Sequence, residues 1–277
     1  MNDLDKKLVV QICSLTSRGF TSEGQLGQGE QGAVVKAKHW LDQGHYAIKF
    51  LPLMQHENLS EQQRLELSIL SNPKLSRKNI VRYHTSWTYS NLGISFLCMQ
   101  IELCDASLYG FAFENELSGT QMISEDPLRF YGHCFVGILN GLVAIHELGW
   151  MHRDIHAKNI LIAQPGYRVK ISDFGRAREI SSVTPGNLEM FVPCLGQAPE
   201  MSAPGVYDQK VDIFGAGSVL KLIGRRYIQR LRTYRQMSEQ ERRTQVILGM
   251  VKSMINVDPN SRLAAREYLQ RLNSENT

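Results

Sequence analysis

The chain has 277 residues with a formal net charge of +4, and 43% of them are hydrophobic and 21% charged. This composition predicts a soluble globular chain of one large domain or two lobes, and it excludes collagen-like and low-complexity proteins. No apolar run approaches the roughly eighteen residues of a membrane span, and the acidic start is unlike a secretory signal. Five widely spaced cysteines without a Cys-x-x-Cys pair favour a reducing compartment, cytoplasmic or nuclear, over a disulfide scaffold or a zinc site. The mild positive charge gives no reason to expect a nucleic acid partner.

The predicted secondary structure changes character along the chain. Residues 1–22 are predicted to be an N-terminal extension. Alternating apolar and polar residues predict strands within 23–53, around 80–88 and at 94–103. Helical spacing predicts helices at 58–71, 126–148, 209–223, 239–256 and 261–271. We therefore expect a sheet-rich lobe over 23–103 and a larger helical lobe over 104–272, with a hinge near 103–107.

A glycine-rich turn lies between the first two predicted strands, in the pattern Gly27-x-Gly29-x-x-Gly32-x-Val34. Such a pattern has little specificity by itself, and a flexible turn is the alternative interpretation. A dinucleotide-binding loop would need a helix after the glycines, whereas residues 33–40 alternate as a strand does. The pattern therefore favours a flap whose backbone N–H groups can approach phosphates closely, because no side chain intervenes.

The next strand and the helix after it carry a candidate ion pair. Lys49 follows Ala47 in an alternating run, and Glu66 lies on the predicted helix. A lysine–glutamate pair between strand and helix would direct the ammonium group toward nucleotide phosphates. Glu57 and Glu61 are rivals for the partner, and an exposed lysine on an edge strand is the alternative.

The most specific pattern lies in the second lobe, where MHRDIHAKNILI is followed by VKISDFGRA. Asp154 and Asn159 are five residues apart, and Asp173 follows fourteen residues after Asn159. Two acids and an amide at these spacings supply one base and two oxygen ligands for magnesium, which prefers hard oxygen donors. The alternative is three unrelated polar loop residues, which the matching apolar flanks disfavour.

Taken together, these motifs resemble those of the eukaryotic protein kinases over residues 20–272. The resemblance implies an α+β, bilobal fold, with a small antiparallel β-sheet N-lobe that carries one regulatory helix and a larger, mainly helical C-lobe. It also implies ATP and Mg²⁺ as cofactors and a protein as substrate.

The resemblance assigns roles to individual residues. The implied catalytic residues are Asp154, Lys49, Glu66 and Lys158. The implied nucleotide-binding residues are Gly27, Gly29, Gly32, Val34, Ala47, Lys49, Glu102 and Cys104. The implied metal ligands are Asn159 and Asp173. By the same resemblance, Ala198-Pro199-Glu200 ends the activation segment, Glu200 pairs with Arg262, and Asp212 supports the loop of Asp154.

Two further segments narrow the resemblance. KNIVRYHTSW and MQIELCDASL are similar to the kinases of translation initiation factor 2 alpha and to the Wee-type kinases. The first group is the nearer one because the HRD and DFG motifs are intact, although its long insert between strands is absent here. From that group comes the expectation of a homodimer through the N-lobe.

Several positions depart from the family pattern. Gln31 stands at the flap tip, where an aromatic residue is usual, and Gly196 replaces an aromatic residue before the APE motif. His156 stands where serine/threonine kinases carry a lysine, and Lys158 is the candidate to replace that charge. Pro193 resembles the substrate loop of tyrosine kinases. These departures place the acceptor specificity between the two classes.

The segment between the DFG and APE motifs is the predicted regulatory switch. It holds three hydroxyl side chains, Ser181, Ser182 and Thr184. A phosphate there would add about −1.5 to −2 charges and could pair with the arginines Arg153, Arg176 and Arg178. The alternative is that these hydroxyl groups are simply solvated.

We therefore predict a protein kinase that transfers the γ-phosphoryl group of ATP to a protein hydroxyl, with Ser/Thr favoured over Tyr. A tyrosine or dual-specificity kinase is one alternative. A pseudokinase acting as a nucleotide-binding scaffold is another, although the complete set of motif residues argues against it. A kinase-fold enzyme acting on small molecules is disfavoured by the APE motif and its late arginine partner.

Overall fold

The computed structural model describes residues 3–29, 32–53, 58–75, 78–114, 126–182, 196–202, 206–228 and 238–275. The chain divides into two compact units, Met1–Pro73 with Val81–Cys104 and Lys74–Ile80 with Asp105–Thr277. Some residues considered above lie outside the described residues, namely Gln31, Glu57, Thr184 and Pro193.

Among its described residues, the first unit is an antiparallel sheet with two helices. Its elements are α1 (Asp3–Ser17), β1 (Phe20–Gly29), β2 (Gly32–His39), β3 (His45–Pro52), α2 (Glu61–Ser71), β4 (Tyr83–Asn91) and β5 (Ile94–Glu102). The strand order is β1-β2-β3-β5-β4. The predicted antiparallel sheet is thereby confirmed.

Helix α2 begins where its sequence supplies a cap. The Ser60 hydroxyl accepts a hydrogen bond from the Gln63 backbone N–H at 3.2 Å, and the Gln63 side chain accepts one from the Ser60 N–H at 2.9 Å. This capping box satisfies two N–H groups that the first helical turn leaves unpaired. The helix therefore begins at Glu61, and the predicted beginning at 58 was three residues too early.

Apolar side chains cover both faces of this sheet. Successive side chains of a strand point to opposite sides, so consecutive apolar residues of one strand contribute to both faces. Cys98 of β5 joins the cluster that contains Val10 and Leu15 of α1. Its neighbours Leu97 and Met99 join the opposite cluster, against which Leu67 and other partly buried apolar side chains pack. The stretch predicted as an N-terminal extension therefore contains a helix that covers one face of the sheet.

A buried polar contact fixes α1 on that face. The Trp87 indole N–H donates to the Ser14 hydroxyl at 3.0 Å, and the same hydroxyl lies 3.3 Å from the Cys98 thiol. Ser14 is completely buried, so this hydrogen bond satisfies a polar group that would otherwise be costly to bury.

The second unit, in the part of it that the structure describes, is mainly helical with two small sheets. Its strands are β6 (Ala106–Ser107), β7 (Trp150–Met151), β8 (Ile160–Ala163), β9 (Arg168–Ile171) and β10 (Arg178–Glu179). Its α-helices are α3 (Pro127–His146), α4 (Lys210–Ile228), α5 (Glu239–Met254) and α6 (Ala265–Ser274). Short helical turns lie at Gly110–Glu114, Ile180–Ser182, Pro199–Ser202 and Pro259–Ser261. One sheet has the order β6-β8-β9, and the other pairs β10 with β7.

Residues 74–80 belong to this second unit, although the sequence placed all of 23–103 in the small lobe. The backbone carbonyl of Asn79 accepts a hydrogen bond from the Ile171 N–H at 2.8 Å. The Asn79 side-chain amide donates to the Val169 carbonyl at 2.9 Å. These contacts join the segment to β9, and hydrophobic periodicity gives no sign of them.

Helix α3 forms the core of the second unit. It begins after Asp126, whose carboxylate accepts a hydrogen bond from the Arg129 N–H at 2.9 Å, and Pro127 occupies the first turn. By length and composition alone α3 could cross a membrane, but most of it is buried inside the protein, as in the core helix of a globular fold.

Two glycines let α3 approach β9 closely. A methyl group on Gly137 would lie 2.7 Å from the Val169 Cβ, and one on Gly141 would lie 2.6 Å from the Ile171 Cδ1. Both distances are far below van der Waals contact. Strand β9, which leads to Asp173, therefore packs against α3 at two positions where the helix carries no side chain.

Candidate catalytic site

In the first unit, Lys49 and Glu66 form a buried ion pair. Lys49 lies on β3 between Val34 of β2 and Met99 of β5, and Glu66 lies on α2. The lysine Nζ donates to Glu66 Oε1 at 2.6 Å, and the two side chains are 10% and 2% exposed. Burial of both charges requires this pairing, since an isolated buried charge is strongly unfavourable.

The glycines of the flap differ in what they do. Gly27 and Gly29 belong to β1, and a methyl group on either would meet nothing within 4 Å. Gly32 has a φ of +145°, and a side chain there would collide with the carbonyl oxygen of Phe50. Gly32 is therefore required by the close backbone approach of β2 to β3, whereas the backbone of Gly27 and Gly29 is open to a ligand.

The predicted adenine-binding groups lie at the end of β5. Ala47 pairs with Ile101, one residue before Glu102. The Glu102 N–H donates to the Arg82 carbonyl at 2.8 Å, and its carboxylate accepts from the Arg82 N–H at 3.0 Å. These two bonds fix the backbone at Glu102, and Cys104 follows as the last residue of the first unit.

In the second unit, Asp154 and Asn159 are joined directly. The Asn159 Nδ2 group donates to the Asp154 carboxylate Oδ2 and to the Asp154 backbone carbonyl, both at 3.0 Å. The amide nitrogen is thus engaged by Asp154, and the amide oxygen is the end of the side chain that can bind a metal.

Asn159 and Asp173 lie at the same end of one β-hairpin. Asn159 precedes β8 and Asp173 follows β9, and these strands pair antiparallel with Ile160 opposite Ile171. The Asn159 carbonyl accepts hydrogen bonds from the Ser172 N–H and from the Ser172 hydroxyl, each at 2.9 Å. The hairpin therefore brings the two predicted metal ligands to adjoining backbone positions.

The backbone at Asp173 is unusual. Its φ is +63°, in the left-handed region that few residues other than glycine adopt. The Gly175 N–H donates to Asp173 Oδ1 at 3.4 Å. A strained conformation of this kind persists because its surroundings hold it, and such residues concentrate at functional sites.

Asp212 of α4 holds the loop of Asp154 by hydrogen bonds to its backbone. Asp212 Oδ1 accepts from the Arg153 N–H at 2.7 Å, and Oδ2 accepts from the His152 N–H at 2.8 Å and from His146 Nε2 at 2.9 Å. Burial alone would raise the Asp212 pKa, but the hydrogen bond and charge of His146, with contributions from His152, lower it below the ordinary value. The resemblance implied Asp212 here but missed His146, which sequence spacing could not distinguish from an ordinary core histidine.

His152 connects this support to the Asp173 segment. Its Nε2 lies 3.0 Å from the Ser172 carbonyl, and its ring centroid is 4.9 Å from that of Phe174. Both residues are completely buried. His152 therefore packs directly against Phe174 of the Asp173-Phe174-Gly175 motif.

Two basic side chains approach the Asp154 carboxylate. His156 Nε2 lies 3.5 Å from Oδ2, and Arg176 Nη1 lies 3.7 Å from Oδ1. Burial would raise the Asp154 pKa, but the hydrogen bond and charge of His156, together with the charges of Arg176 and His152, lower it. The carboxylate is therefore ionised at neutral pH, as a proton acceptor must be.

Lys158, the cation that the sequence suggested for this neighbourhood, contacts an aromatic ring. Its Nζ lies 5.3 Å from the centroid of the Tyr109 ring, within the range of a cation–π interaction. Neither of the basic side chains beside Asp154 was expected there from the sequence, where His156 is a departure from the family pattern and Arg176 a candidate partner of a phosphate.

A second ion pair joins Glu200, the last residue of the APE motif, to Arg262, which is distant along the chain. Arg262 donates from Nη1 to Glu200 Oε1 at 2.5 Å and from Nη2 to Glu200 Oε2 at 2.9 Å. The guanidinium also donates to the backbone carbonyls of Asn256, Lys210 and Val257. The pair suggested by the resemblance is present in the structure.

The donor set fits magnesium rather than a metal held by the protein alone. Among the described residues there is no group of three or more His, Cys, Asp or Glu side chains that could hold a metal ion. A carboxylate and an amide oxygen are hard ligands, and magnesium characteristically keeps water and substrate phosphates in the rest of its coordination shell. Asp173 and Asn159 match that pattern.

Comparison with known proteins gives one family. Residues 20–272 match the family model described as protein kinase domain. The chain is 30% identical over 199 residues to serine/threonine-protein kinase Nek5 of Mus musculus, covering 70% of this chain and 29% of that protein. It is 32% identical over 200 residues to serine/threonine-protein kinase pakF of Dictyostelium discoideum, covering 72% and 16%. It is 28% identical over 216 residues to homeodomain-interacting protein kinase 1 of Caenorhabditis elegans, covering 76% and 24%. The matched region is thus less than a third of the length of these relatives.

Proposed function

We propose, from the premise that this chain belongs to the protein kinase domain family, that it transfers the γ-phosphoryl group of ATP to serine or threonine hydroxyls of proteins. Membership in the family implies the use of ATP and a divalent metal ion. The observation that carries the proposal is the hydrogen bond between Asp154 and Asn159, at the end of the hairpin that also leads to Asp173. A base and two oxygen ligands are thereby held by one short stretch of backbone.

The first unit contributes a fixed positive charge. The carboxylate of Glu66 holds the Lys49 ammonium group at 2.6 Å, so the lysine is oriented before any nucleotide binds. In phosphoryl transfer the protein supplies mainly position and charge, and preorganised charges are the most effective ones. Lys49 would bind phosphate oxygens, and the open backbone of Gly27 and Gly29 would cover them.

The second unit contributes the base. Asp154 is kept ionised by its neighbours and held in orientation by Asn159, so it can accept the proton of the acceptor hydroxyl. Asn159 and Asp173 would hold magnesium through an amide oxygen and a carboxylate. When bound, that ion neutralises charge on the phosphate oxygens.

The choice of serine or threonine over tyrosine rests on the relatives. Nek5 and pakF are serine/threonine-protein kinases by name. His156 departs from the lysine usual in that class, and Pro193 resembles the tyrosine class.

The test is incubation of the purified chain with magnesium and labelled ATP, a mixed peptide library, and analysis of the phosphorylated amino acids. We expect phosphoserine and phosphothreonine, formed at a strongly reduced but still measurable rate in Asp154→Asn. Phosphotyrosine as the main product would overturn the acceptor assignment. Nucleotide binding without transfer to any peptide would overturn the enzyme assignment in favour of a nucleotide-binding scaffold.

We also propose the narrower likeness to the initiation factor 2 alpha kinases, supported by two segments of sequence, KNIVRYHTSW and MQIELCDASL. None of the three relatives described above is named as an initiation factor 2 alpha kinase. The support for this narrower likeness is therefore the two sequence segments. A homodimer through the first unit follows from the same likeness. Sedimentation velocity across micromolar concentrations tests it, and a monomer throughout that range would remove it.

A further inference from the structure

Arg176 directly follows the Asp173-Phe174-Gly175 motif and reaches back to the catalytic base. Its Nη1 lies 3.7 Å from Asp154 Oδ1, and the two side chains are 33% and 17% exposed. Side chains twenty-two residues apart meet here in a partly dry environment, where a charge pair is stronger than at an open surface.

The backbone on both sides of Arg176 is anchored to the same region. On one side, the Ala177 N–H donates to the Phe174 carbonyl at 3.0 Å, which closes a turn around Arg176. On the other side, β10 begins at Arg178 and pairs with Met151 of β7, three residues before Asp154. The pairing of β7 with β10 and the turn at 174–177 hold the backbone around Arg176 near Asp154. The contact therefore does not depend on the conformation of the arginine side chain alone.

The two oxygens of Asp154 have different partners. Oδ2 accepts from Asn159 Nδ2 at 3.0 Å and lies 3.5 Å from His156 Nε2. Oδ1 faces Arg176. Lys158, the alternative cation of this loop, contacts the Tyr109 ring. Asn159 alone would fix one oxygen and leave the carboxylate free to turn about its terminal bond, whereas a second partner on the other oxygen fixes its plane.

We propose that Arg176 is a positioning residue that orients the Asp154 carboxylate for proton acceptance. The inference rests on the proposed phosphoryl transfer and adds to it a residue that the family motifs do not include. An arginine suits this role because its guanidinium is planar, remains charged at every working pH, and carries several donors. His156 lies beside the other oxygen of the carboxylate, and at 42% its side chain is more exposed than that of Arg176, at 33%.

The expected effect falls on the chemical step. Misplacing a reacting group by about 1 Å costs on the order of a hundredfold in rate. We therefore expect Arg176→Leu to lower kcat for peptide phosphorylation by about tenfold to a hundredfold, with the KM for ATP unchanged. Arg176→Lys keeps a positive charge and should recover part of the loss. Arg168→Leu, which removes an exposed arginine of β9 in the same unit, is the matched control and should keep the wild-type kcat.

A double-mutant cycle separates positioning from a general structural effect. If Arg176 acts through Asp154, Arg176→Leu should cost much less in an Asp154→Asn background than in the wild type, as single-turnover phosphorylation with labelled ATP would show. Thermal unfolding should give the same midpoint for Arg176→Leu and Arg168→Leu. An equal fold-loss in both backgrounds would overturn the inference, as would a wild-type or raised kcat in Arg176→Leu. A wild-type chain that transfers no phosphate would overturn the proposed function and, with it, this role of Arg176.

Discussion

The Arg262 guanidinium holds Glu200 by two parallel hydrogen bonds, 2.5 Å and 2.9 Å long, although the residues are sixty-two positions apart. The arginine side chain is fully buried, and its centre lies 4.8 Å from the ring centroid of Phe214. The same guanidinium binds three backbone carbonyls, so its donors satisfy the loop after α5 as well as the APE motif. This one side chain joins three separate segments of the second unit.

Arg262→Leu should therefore destabilise the protein strongly. It leaves the Glu200 carboxylate and three backbone carbonyls without their donor, and breaking a buried pair from one side typically costs about 3–5 kcal/mol. Chemical denaturation would measure the loss in the free energy of unfolding. Arg266→Leu is the control, because its partner Glu147 is exposed and such surface pairs contribute about 0–1 kcal/mol. Similar losses of unfolding free energy in both variants would contradict a stabilising role for the Arg262–Glu200 pair.

Substitutions of the Lys49–Glu66 pair should separate activity from stability. For Lys49→Met we expect at least about a hundredfold loss of phosphoryl transfer, since a preorganised charge is removed. We also expect lower stability, because Glu66 would be left buried without a cation. The double variant Lys49→Met with Glu66→Leu should regain stability and remain inactive. A double variant as unstable as Lys49→Met would show that burial of Glu66 is not the cause.

Asp212→Asn should alter both stability and its dependence on pH. The amide cannot replace all three hydrogen bonds accepted by the carboxylate, which costs about 1–3 kcal/mol at neutral pH. Because the folded-state pKa of Asp212 lies below its ordinary value of 3.8, the carboxylate stabilises the fold above about 3.8 and this contribution is lost as the pH falls through the lower folded pKa. The stability difference between wild type and variant should therefore shrink on acidification below pH 4. Urea denaturation at a series of pH values measures it, and a constant difference would refute the assignment.

Two leucines of α1 provide a test of its role in the first unit. Leu15 is 2% exposed within the apolar cluster on the sheet, whereas Leu8 is 57% exposed. Leu15→Ala should lower the free energy of unfolding by about 2–5 kcal/mol, and Leu8→Ala should change it by less than about 0.5 kcal/mol. Thermal or chemical unfolding of the two variants gives the comparison. Equal effects would mean that α1 does not pack on the sheet as described.

Local signals account for what the sequence predicted well. The alternating run at 45–51 became β3, and the predicted helix at 126–148 became α3. Both signals depend on the period of neighbouring side chains, which a strand or a helix imposes directly. The boundary of α2 was three residues early because Asn58 and Ser60 are both acceptable caps, and only Ser60 has the Gln63 partner that completes the box.

Long-range contacts account for what the sequence did not reveal. Periodicity shows that α1 is apolar in places but not that it covers a sheet. The contact of Arg176 with Asp154 depends on the short ladder between β7 and β10, which has two residue pairs and no recognisable pattern. His146 gave no signal because its partner, Asp212, lies on another helix. Motifs supply the identity of reacting groups, whereas the charges that tune those groups come from tertiary packing.

The glycines of α3 have a consequence for how the second unit tolerates change. Gly137 and Gly141 leave β9 in direct contact with helix backbone, and β9 ends two residues before Asp173. An added methyl group on the buried side of α3 would push the strand outward and carry the Asp173 carboxylate with it. A mutation of a buried glycine far from the reacting groups would thus lower activity although no residue of the site itself had been substituted.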